Sequence, residues 1–352
     1  MSYYKNNFIS MVFSMTNELN NSVVAFMRDS MGILSCPKVF STGGNGTGSQ
    51  QVDPLGSQGA IILSPDGNFL FVVNAGSNSI SSFRVGPWGL TLIDVVPSGG
   101  IFPNSLTINH HNLYVTNSGN PPKSPGNVTG FRIKSDGHLS IISGSQRPLS
   151  SDNAQSKCIV SRLYGDKLVV SEGVTNNLSV YVVNRNGSLN GPIVNSSNGV
   201  GPFGSAYLSN NLLVVSEVGP NALSSYNVTN NGILNVISGS VLNNQTATCW
   251  VSVNPDENYA YTSNAGSGTI TRYRINQGGT LTVVESIPST PNRTGSPLDS
   301  GIDRCGQNFY VLNGSEGSIS VFKIEKNGHL VLLQIFQDTR LPRIGAQGLA
   351  IL

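Results

Sequence analysis

Apolar and polar positions along the chain fall into short runs, and residues 59–85, GAIILSPDGNFLFVVNAGSNSISSFRV, show the pattern in full. Residues 59–63 are a short apolar run. Pro65-Asp66-Gly67 is a turn, in which Pro presets φ and Gly supplies the left-handed position. Residues 69–73 are a second apolar run, rich in the aromatic and β-branched side chains that suit a pleated surface. A polar loop spans 74–78. Residues 79–85 then alternate, with Ile80, Ser82 and Arg84 on one side and Ser81, Phe83 and Val85 on the other. After a Gly turn, 90–96 reads as a fourth strand. The unit is a four-stranded antiparallel meander.

The unit recurs. A Gly followed closely by Leu marks the turn after each third strand: Gly32/Leu34, Gly89/Leu92, Gly137/Leu139, Gly187/Leu189, Gly232/Leu234, Gly279/Leu281 and Gly328/Leu330. The Leu-to-Leu spacings are 58, 47, 50, 45, 47 and 49 residues. A second series marks the end of each second strand, at Asn17, Asn74, Asn117, Glu172, Glu217, Asn264 and Asn313, and it stays in phase with the first. Four short strands repeating at this period predict an all-β, seven-bladed β-propeller. A closed ring has no internal boundary, so residues 1–352 are expected to form one domain.

Blade 1 shows strands at 8–15, 22–28 and 34–41 but no innermost strand. The stretch 345–352, GAQGLAIL, resembles SQGAIIL at 57–63 and supplies it. The C-terminal strand thus closes the ring on the N-terminal blade and removes a sheet edge. Blades 2 to 7 then follow in order: 59–96, 102–150, 155–199, 202–245, 248–290 and 296–338. Between blades 1 and 2 lies a Gly-rich segment, 43–57. Without a following helix or a GK[ST] sequence it has no phosphate-binding signature, and a flexible top-face loop is expected.

Composition narrows the function classes. The net charge is +2 and charged residues make up 11% of the chain, without the clustered Lys and Arg that nucleic acid or an anionic membrane would require. Apolar runs stay far short of a membrane span. The first residues, MSYYKNNFISMVFSM, hold no sustained apolar core, and the expectation is a cytoplasmic protein. A monomer with a small-molecule partner and no cofactor is expected. Cys36, Cys158, Cys249 and Cys305 form no CxxC pair and are expected to be buried free thiols. The His, Cys and Asp residues show no metal-ligand spacing.

In a propeller the first strand of each blade begins, and the second ends, on the same face. Hairpin pairing then sets Gln58 against Asn74, Asn104 against Asn117, Lys157 against Glu172, Phe203 against Glu217, Cys249 against Asn264, Asp299 against Asn313 and Gln347 against Asn17. This polar ring would surround the mouth of the central channel and form a ligand funnel. The competing account is that Asn and Glu cap strand ends and bond to loop backbone. Glu172 and Glu217 favour a functional role, because the other five blades carry Asn there. His110 and His111 fall in a turn between first and second strands, and His138 and His329 in turns between third and fourth strands. Both turn types lie on the opposite face, which excludes a Ser-His-Asp triad in the funnel.

The blade motifs SPDGNFLFVVNAGSNSISSFRV and TCWVSVNPDENYAYTSNAGSGTITRYRI resemble the lactonase-type seven-bladed propellers, which include propeller 6-phosphogluconolactonases and fungal carboxymuconate-lactonizing cyclases. The resemblance spans all seven repeats and implies a hydrolase or cyclase acting on a small sugar-acid or organic-acid lactone. The alternative is a non-catalytic binding or scaffold propeller. The cyclase members are associated with a funnel His and Arg beside a carboxylate, and this chain departs from that pattern. Lactone hydrolysis without metal or nucleophilic Ser needs a base for water and donors for the oxyanion. Lys157, opposite Glu172, would pair with it. Glu217, opposite the apolar Phe203, becomes the expected general acid/base, with Glu172 and Lys157 orienting substrate. Gln58, Asn17, Asn74, Asn104, Asn117, Asn264, Asp299, Asn313 and Gln347 complete the expected binding ring.

Overall fold

A computed structural model of the chain describes residues 10–352. Among them are seven antiparallel sheets, each a blade of a β-propeller. Blade 1 orders its strands Gln347–Ile351, Ser10–Met15, Ser22–Arg28 and Leu34–Ser41 from the axis outward. The expected closure is therefore present, with Val12 paired to Ile351 and Phe13 to Ala350. Phe8 and Ile9 of the expected second strand lie outside the described residues. Blade 2 comprises Ile61–Leu63, Phe69–Asn74, Ser79–Gly86 and Gly89–Pro97. Blades 4 to 7 begin with inner strands Ser156–Ser161, Pro202–Tyr207, Thr248–Val253 and Pro297–Ile302. Each inner strand contacts the next, and Gln347–Ile351 contacts both Pro297–Ile302 and Ile61–Leu63.

Two strands depart from the sequence reading. The inner strand of blade 2 starts at Ile61 rather than 59, because Gly59 has φ +82° and its N–H is taken by Asp299 at 3.0 Å. Blade 3, with Pro103–Asn109, Asn112–Asn117 and Asn127–Ile133, has a broken outer strand. Leu139–Ile141 pairs one half of Asn127–Ile133 and Arg147–Pro148 the other. Between them Ser145 Oγ accepts the Gly130 N–H at 3.0 Å, so the third strand's hydrogen bond is met by a side chain.

The glycine of the Gly/Leu marker has a packing reason. The residue adopts positive φ, for example +95° at Gly137 and +81° at Gly328, and in all blades but blade 2 its carbonyl accepts a hydrogen bond from the preceding blade. Tyr114 donates to Gly187 at 2.8 Å, Tyr261 to Gly328 at 2.8 Å and Tyr310 to Gly32 at 2.9 Å. Ser82 donates to Gly137 and Ser225 to Gly279, both at 2.7 Å, and Asn195 to Gly232 at 3.1 Å. A Cβ at Gly137 would stand 2.5 Å from the Phe69 ring of blade 2. The marker is thus where one blade locks onto the next, and the apolar cores lie between blades: Val169 and Val180 of blade 4 pack with Leu213, Val215 and Tyr226 of blade 5. Each bolt contributes about 1 kcal/mol net, multiplied round the ring.

Candidate functional site

The expected face-to-face pairs are displaced, by one residue in blades 3 to 6 and by two in blade 7. Asn117 pairs with Pro103, Glu172 with Ser156, Glu217 with Pro202, Asn264 with Thr248 and Asn313 with Pro297. Gln347 pairs with Met15, not Asn17. Gln58 lies before the blade 2 ladder, which starts at Ile61 and Val72. In blades 3 to 7 a β-bulge follows the first pair and leaves Asn104, Lys157, Phe203, Cys249 or Asp299 without a partner on the second strand. An inserted residue bends the strand and re-aims the side chain.

The second-strand ends are sealed within the blades. Asn74 and Asn264 are 0% exposed, as are Glu172 and Glu217. Asn74 Nδ2 donates to Ser79 and Ser81, Asn264 Nδ2 to Thr269 and Thr271, and Asn313 Nδ2 to Ser318 and Ser320. Asn117 Nδ2 donates to Asn127 Oδ1 and the Ser98 carbonyl. Glu172 accepts from the Ser150 N–H and hydroxyl, Thr175 and Ser179. Glu217 accepts from Gly199 N–H at 2.8 Å, Ser224 and Ser240 at 2.6 Å and Tyr226 at 3.4 Å. Asn17 holds the top loop through Thr47, and Asn104 holds blade 4 through Ser156. These residues are not brought to the channel mouth.

The channel itself is bolted shut by two other expected site residues. Gln58 Oε1 accepts the Val251 N–H at 2.8 Å and its Nε2 donates to the Ser205 carbonyl at 2.9 Å, spanning blades 2, 5 and 6. Asp299 accepts N–H groups from Gly59 at 3.0 Å and Gly348 at 3.2 Å, spanning blades 7, 2 and 1. Above these bolts runs the 43–57 segment. Rather than a free loop, it is pinned along its length. Gly46 N–H donates to the Glu18 carbonyl at 2.8 Å and Gly48 N–H to that of Asn17 at 3.0 Å. The Ser57 carbonyl accepts from Trp250 Nε1 at 2.9 Å, and Gln347 Nε2 reaches the Val52 carbonyl at 3.4 Å. Leu55 is buried in the core.

This segment carries the residue that the sequence reading missed, Asp53. It sits beside a top-face cleft of ≈ 500 Å³ whose lining includes Asp53, Gly56, Phe102, Asn120, Gln155 and Lys157. Asp53 is half-buried, with Gly56 N–H donating to it at 3.0 Å. Burial pushes its carboxyl up to about 6, against the opposing pull of the Gly56 N–H, the Lys157 charge and Gln347. Asp299, 3% exposed, is pushed up to about 7 by burial, and the negative charge of Asp53 adds to the shift. Burial lowers the Lys157 ammonium, while the charges of Asp53 and Cys249 oppose that. Lys157 Nζ also lies 5.8 Å from the centre of the Phe203 ring. Its charged neighbour is thus Asp53, where Glu172 was expected. Gln347 Oε1 lacks a hydrogen-bond partner among the described residues. The signal available for Asp53 was the Asp-Pro-Leu-Gly sequence, whose Asp accepts an N–H three residues on and fixes a turn.

The other features fall as follows. His110, His111 and His138 are exposed turn residues, and His329 is half-buried with its Nδ1 2.7 Å from Glu285. Cys158 and Cys249 are buried thiols as expected, whereas Cys36 and Cys305 are exposed, since both lie in outer or turn segments; all four are free. Among the described residues, no three His, Cys, Asp or Glu side chains are grouped to hold a metal ion, and no helix is long and apolar enough to cross a membrane.

Comparison with known proteins joins this geometry to a family. The structure is similar to the periplasmic gluconolactonase PpgL of Pseudomonas aeruginosa, with a TM-score of 0.78 at 16% identity over 98% of this chain and 99% of that one. It is also similar to a putative 6-phosphogluconolactonase of Bacteroides fragilis, with a TM-score of 0.72 at 17% identity over 100% of both chains. At these identities the likeness is one of fold. An uncharacterized protein of Staphylococcus saprophyticus is 41% identical over 58 residues, a match spanning 16% of this chain and only 17% of the relative's length. The family described as lactonase, 7-bladed beta-propeller, matches residues 10–120 and 106–344. With the match running from residue 10 to 344, all but the closing strand of the ring, the chain belongs to the lactonase seven-bladed β-propeller family.

Proposed function

We propose that this propeller hydrolyses a small lactone of a sugar acid or related organic acid in the top-face cleft beside the 43–57 segment. The observation that carries the reading is a half-buried carboxyl, Asp53, poised at about 6 next to a desolvated lysine in that cleft. A general base works best when its proton affinity lies near the working pH. Family membership and the names of the similar gluconolactonase structures support the substrate class.

In this reading ionised Asp53 takes a proton from water as the water oxygen attacks the lactone carbonyl carbon. The carbonyl oxygen becomes an oxyanion, and Lys157 supplies the compensating positive charge. The ring C–O bond then breaks, and protonated Asp53 returns the proton to the departing alkoxide, giving the open hydroxy acid. Gln347, whose hydrogen bond favours the ionised carboxyl, helps hold Asp53 in the form that accepts the proton. Glu172 and Glu217 have the positioning role that their hydrogen bonds suit. A scaffold without catalysis is the second reading, favoured by the bolted channel.

The test is a hydrolysis screen over glucono-lactone, its 6-phosphate and aromatic-acid lactones, read by acid release. Turnover by the wild type and its loss in Asp53→Asn, with the fold intact by circular dichroism, is the expected result. Full turnover by Asp53→Asn would overturn the assignment of the base, and no turnover of any lactone would favour the scaffold.

A further inference from the structure

The opposite face of the ring carries a larger cleft, ≈ 770 Å³, built by turns of blades 2, 3 and 4. That volume is within the range of about 300–1,000 Å³ that small-molecule sites occupy. Its apolar lining comes from Phe69, Ile133 and Leu163. Its rim carries Arg84 and Lys134, and the aromatic pair His110 and Tyr164. In a chain with a net charge of only +2, two cations at one mouth are a local concentration. Arg84 is oriented, its guanidinium 5.3 Å over the Phe69 ring with Nη2 donating to the Asp136 carbonyl at 3.0 Å. One carboxylate, Asp66, also lines the cleft, and its oxygens are turned to neighbours on its own turn, Ser64 and Asn68. Asp136 lies 3.2 Å from His138.

The aromatic pair is built rather than incidental. Tyr164 is 78% exposed and leaves its ring open to solvent at the cleft mouth. His110 and Tyr164 meet edge-to-face at 5.5 Å between centroids. The two turns that carry them are tied together by the His110 N–H donating to the Leu163 carbonyl at 2.6 Å. Asn109, 0% exposed, locks the second turn by donating to the Arg162 and Gly165 carbonyls, both at 2.9 Å. His110 itself is held at φ +54°, a conformation rare for a residue with a side chain. A rigid platform of this kind loses little entropy when a flat ligand lands on it.

We propose that this cleft is a second ligand site, for a small planar aromatic or heteroaromatic molecule bearing a phosphate or carboxylate, its ring against Tyr164 and His110 and its anion between Arg84 and Lys134. The inference is independent of the lactonase reading, since the two clefts share no residue. Calorimetric titration of the full chain with 1-naphthyl phosphate, 1-naphthoate and adenosine 5′-monophosphate tests it, with inorganic phosphate as the ring-free control. At least one of the three ring-bearing probes should bind saturably and more tightly than phosphate, and the phosphate and carboxylate arms identify the preferred anion. Arg84→Gln with Lys134→Gln should weaken binding about tenfold or more, as expected for loss of charge-assisted contacts. Tyr164→Ala should weaken it about fivefold through lost stacking. Arg84→Lys, which keeps charge and cover over Phe69, should retain most of the affinity, separating a folding defect from a lost contact. Failure of all three probes to bind below millimolar concentration, or binding insensitive to these substitutions and abolished by Lys157→Ala, would overturn the proposal.

Discussion

Glu217 and Asp53 are two acidic side chains on the same face of the ring, and they have opposite surroundings. Glu217 is 0% exposed and its oxygens meet a backbone N–H and three hydroxyls. Asp53 is half-buried at a cleft, with one backbone N–H and a lysine charge. A saturated carboxylate has no lone pair left for water or substrate and serves as mortar between loops. An under-satisfied one keeps both its affinity for a proton and room to exchange it. The number of donors around a carboxyl, more than its burial, separates the two uses.

Exchange of each acid for its amide should separate them most sharply. Asp53→Asn should cut lactone turnover by about 10²–10⁴-fold, the usual contribution of a general base, with the fold intact. In the wild type, kcat/KM should rise with pH through about 6 as Asp53 ionises, and this limb should vanish in the variant. Asp299 should register in stability instead. Its carboxyl is raised from 3.8 to about 7 in the fold, so its favourable contribution is full below the unfolded value and is lost as pH rises through about 7. The unfolding free energy of the wild type, from denaturant titrations, should therefore fall between pH 4 and 8 by a few kcal/mol more than that of Asp299→Asn. Glu217→Gln should cost about 2 kcal/mol of stability, because an amide NH₂ would confront groups that donate, while kcat stays within a few-fold. A Glu217→Gln protein that is stable and inactive would erase the distinction between the two acids. The smallest effect belongs to the combined replacement of His110, His111, His138 and His329 by Gln, which should leave lactone turnover within about threefold, since these turns lie on the far face.

The fold was readable because the repeat markers have a physical task in most blades. The Gly of the Gly/Leu turn must leave space for its neighbour and offer its carbonyl, as Gly137 does to Ser82 and Gly328 to Tyr261. The role of the strand-end residues was also written in the chain, in the hydroxyls five and seven positions on. Ser79 and Ser81 follow Asn74, Thr269 and Thr271 follow Asn264, and Ser224 follows Glu217 as its hydrogen-bond donor. Alternation alone hid the bulges. A period-two pattern fixes which face a residue takes, but one extra residue at Lys157 or Asp299 shifts the ladder without altering the surrounding apolar run. Asp53 was obscured for another reason. Its partners Lys157 and Gln347 come from distant blades, so no local spacing announces them.

The pairing of Gln347–Ile351 with Ser10–Met15 has a consequence for the order in which the protein is made. Ser14 waits for a strand that leaves the ribosome 333 residues later. The same late strand brings Gln347 to the Val52 carbonyl and Gly348 to Asp299. Until it arrives, the nascent chain displays an unpaired row of backbone groups and lacks both the tether over its upper face and the bolt through its centre. A ribosome stalled short of this strand releases a product with an open ring, visible to proteases and chaperones.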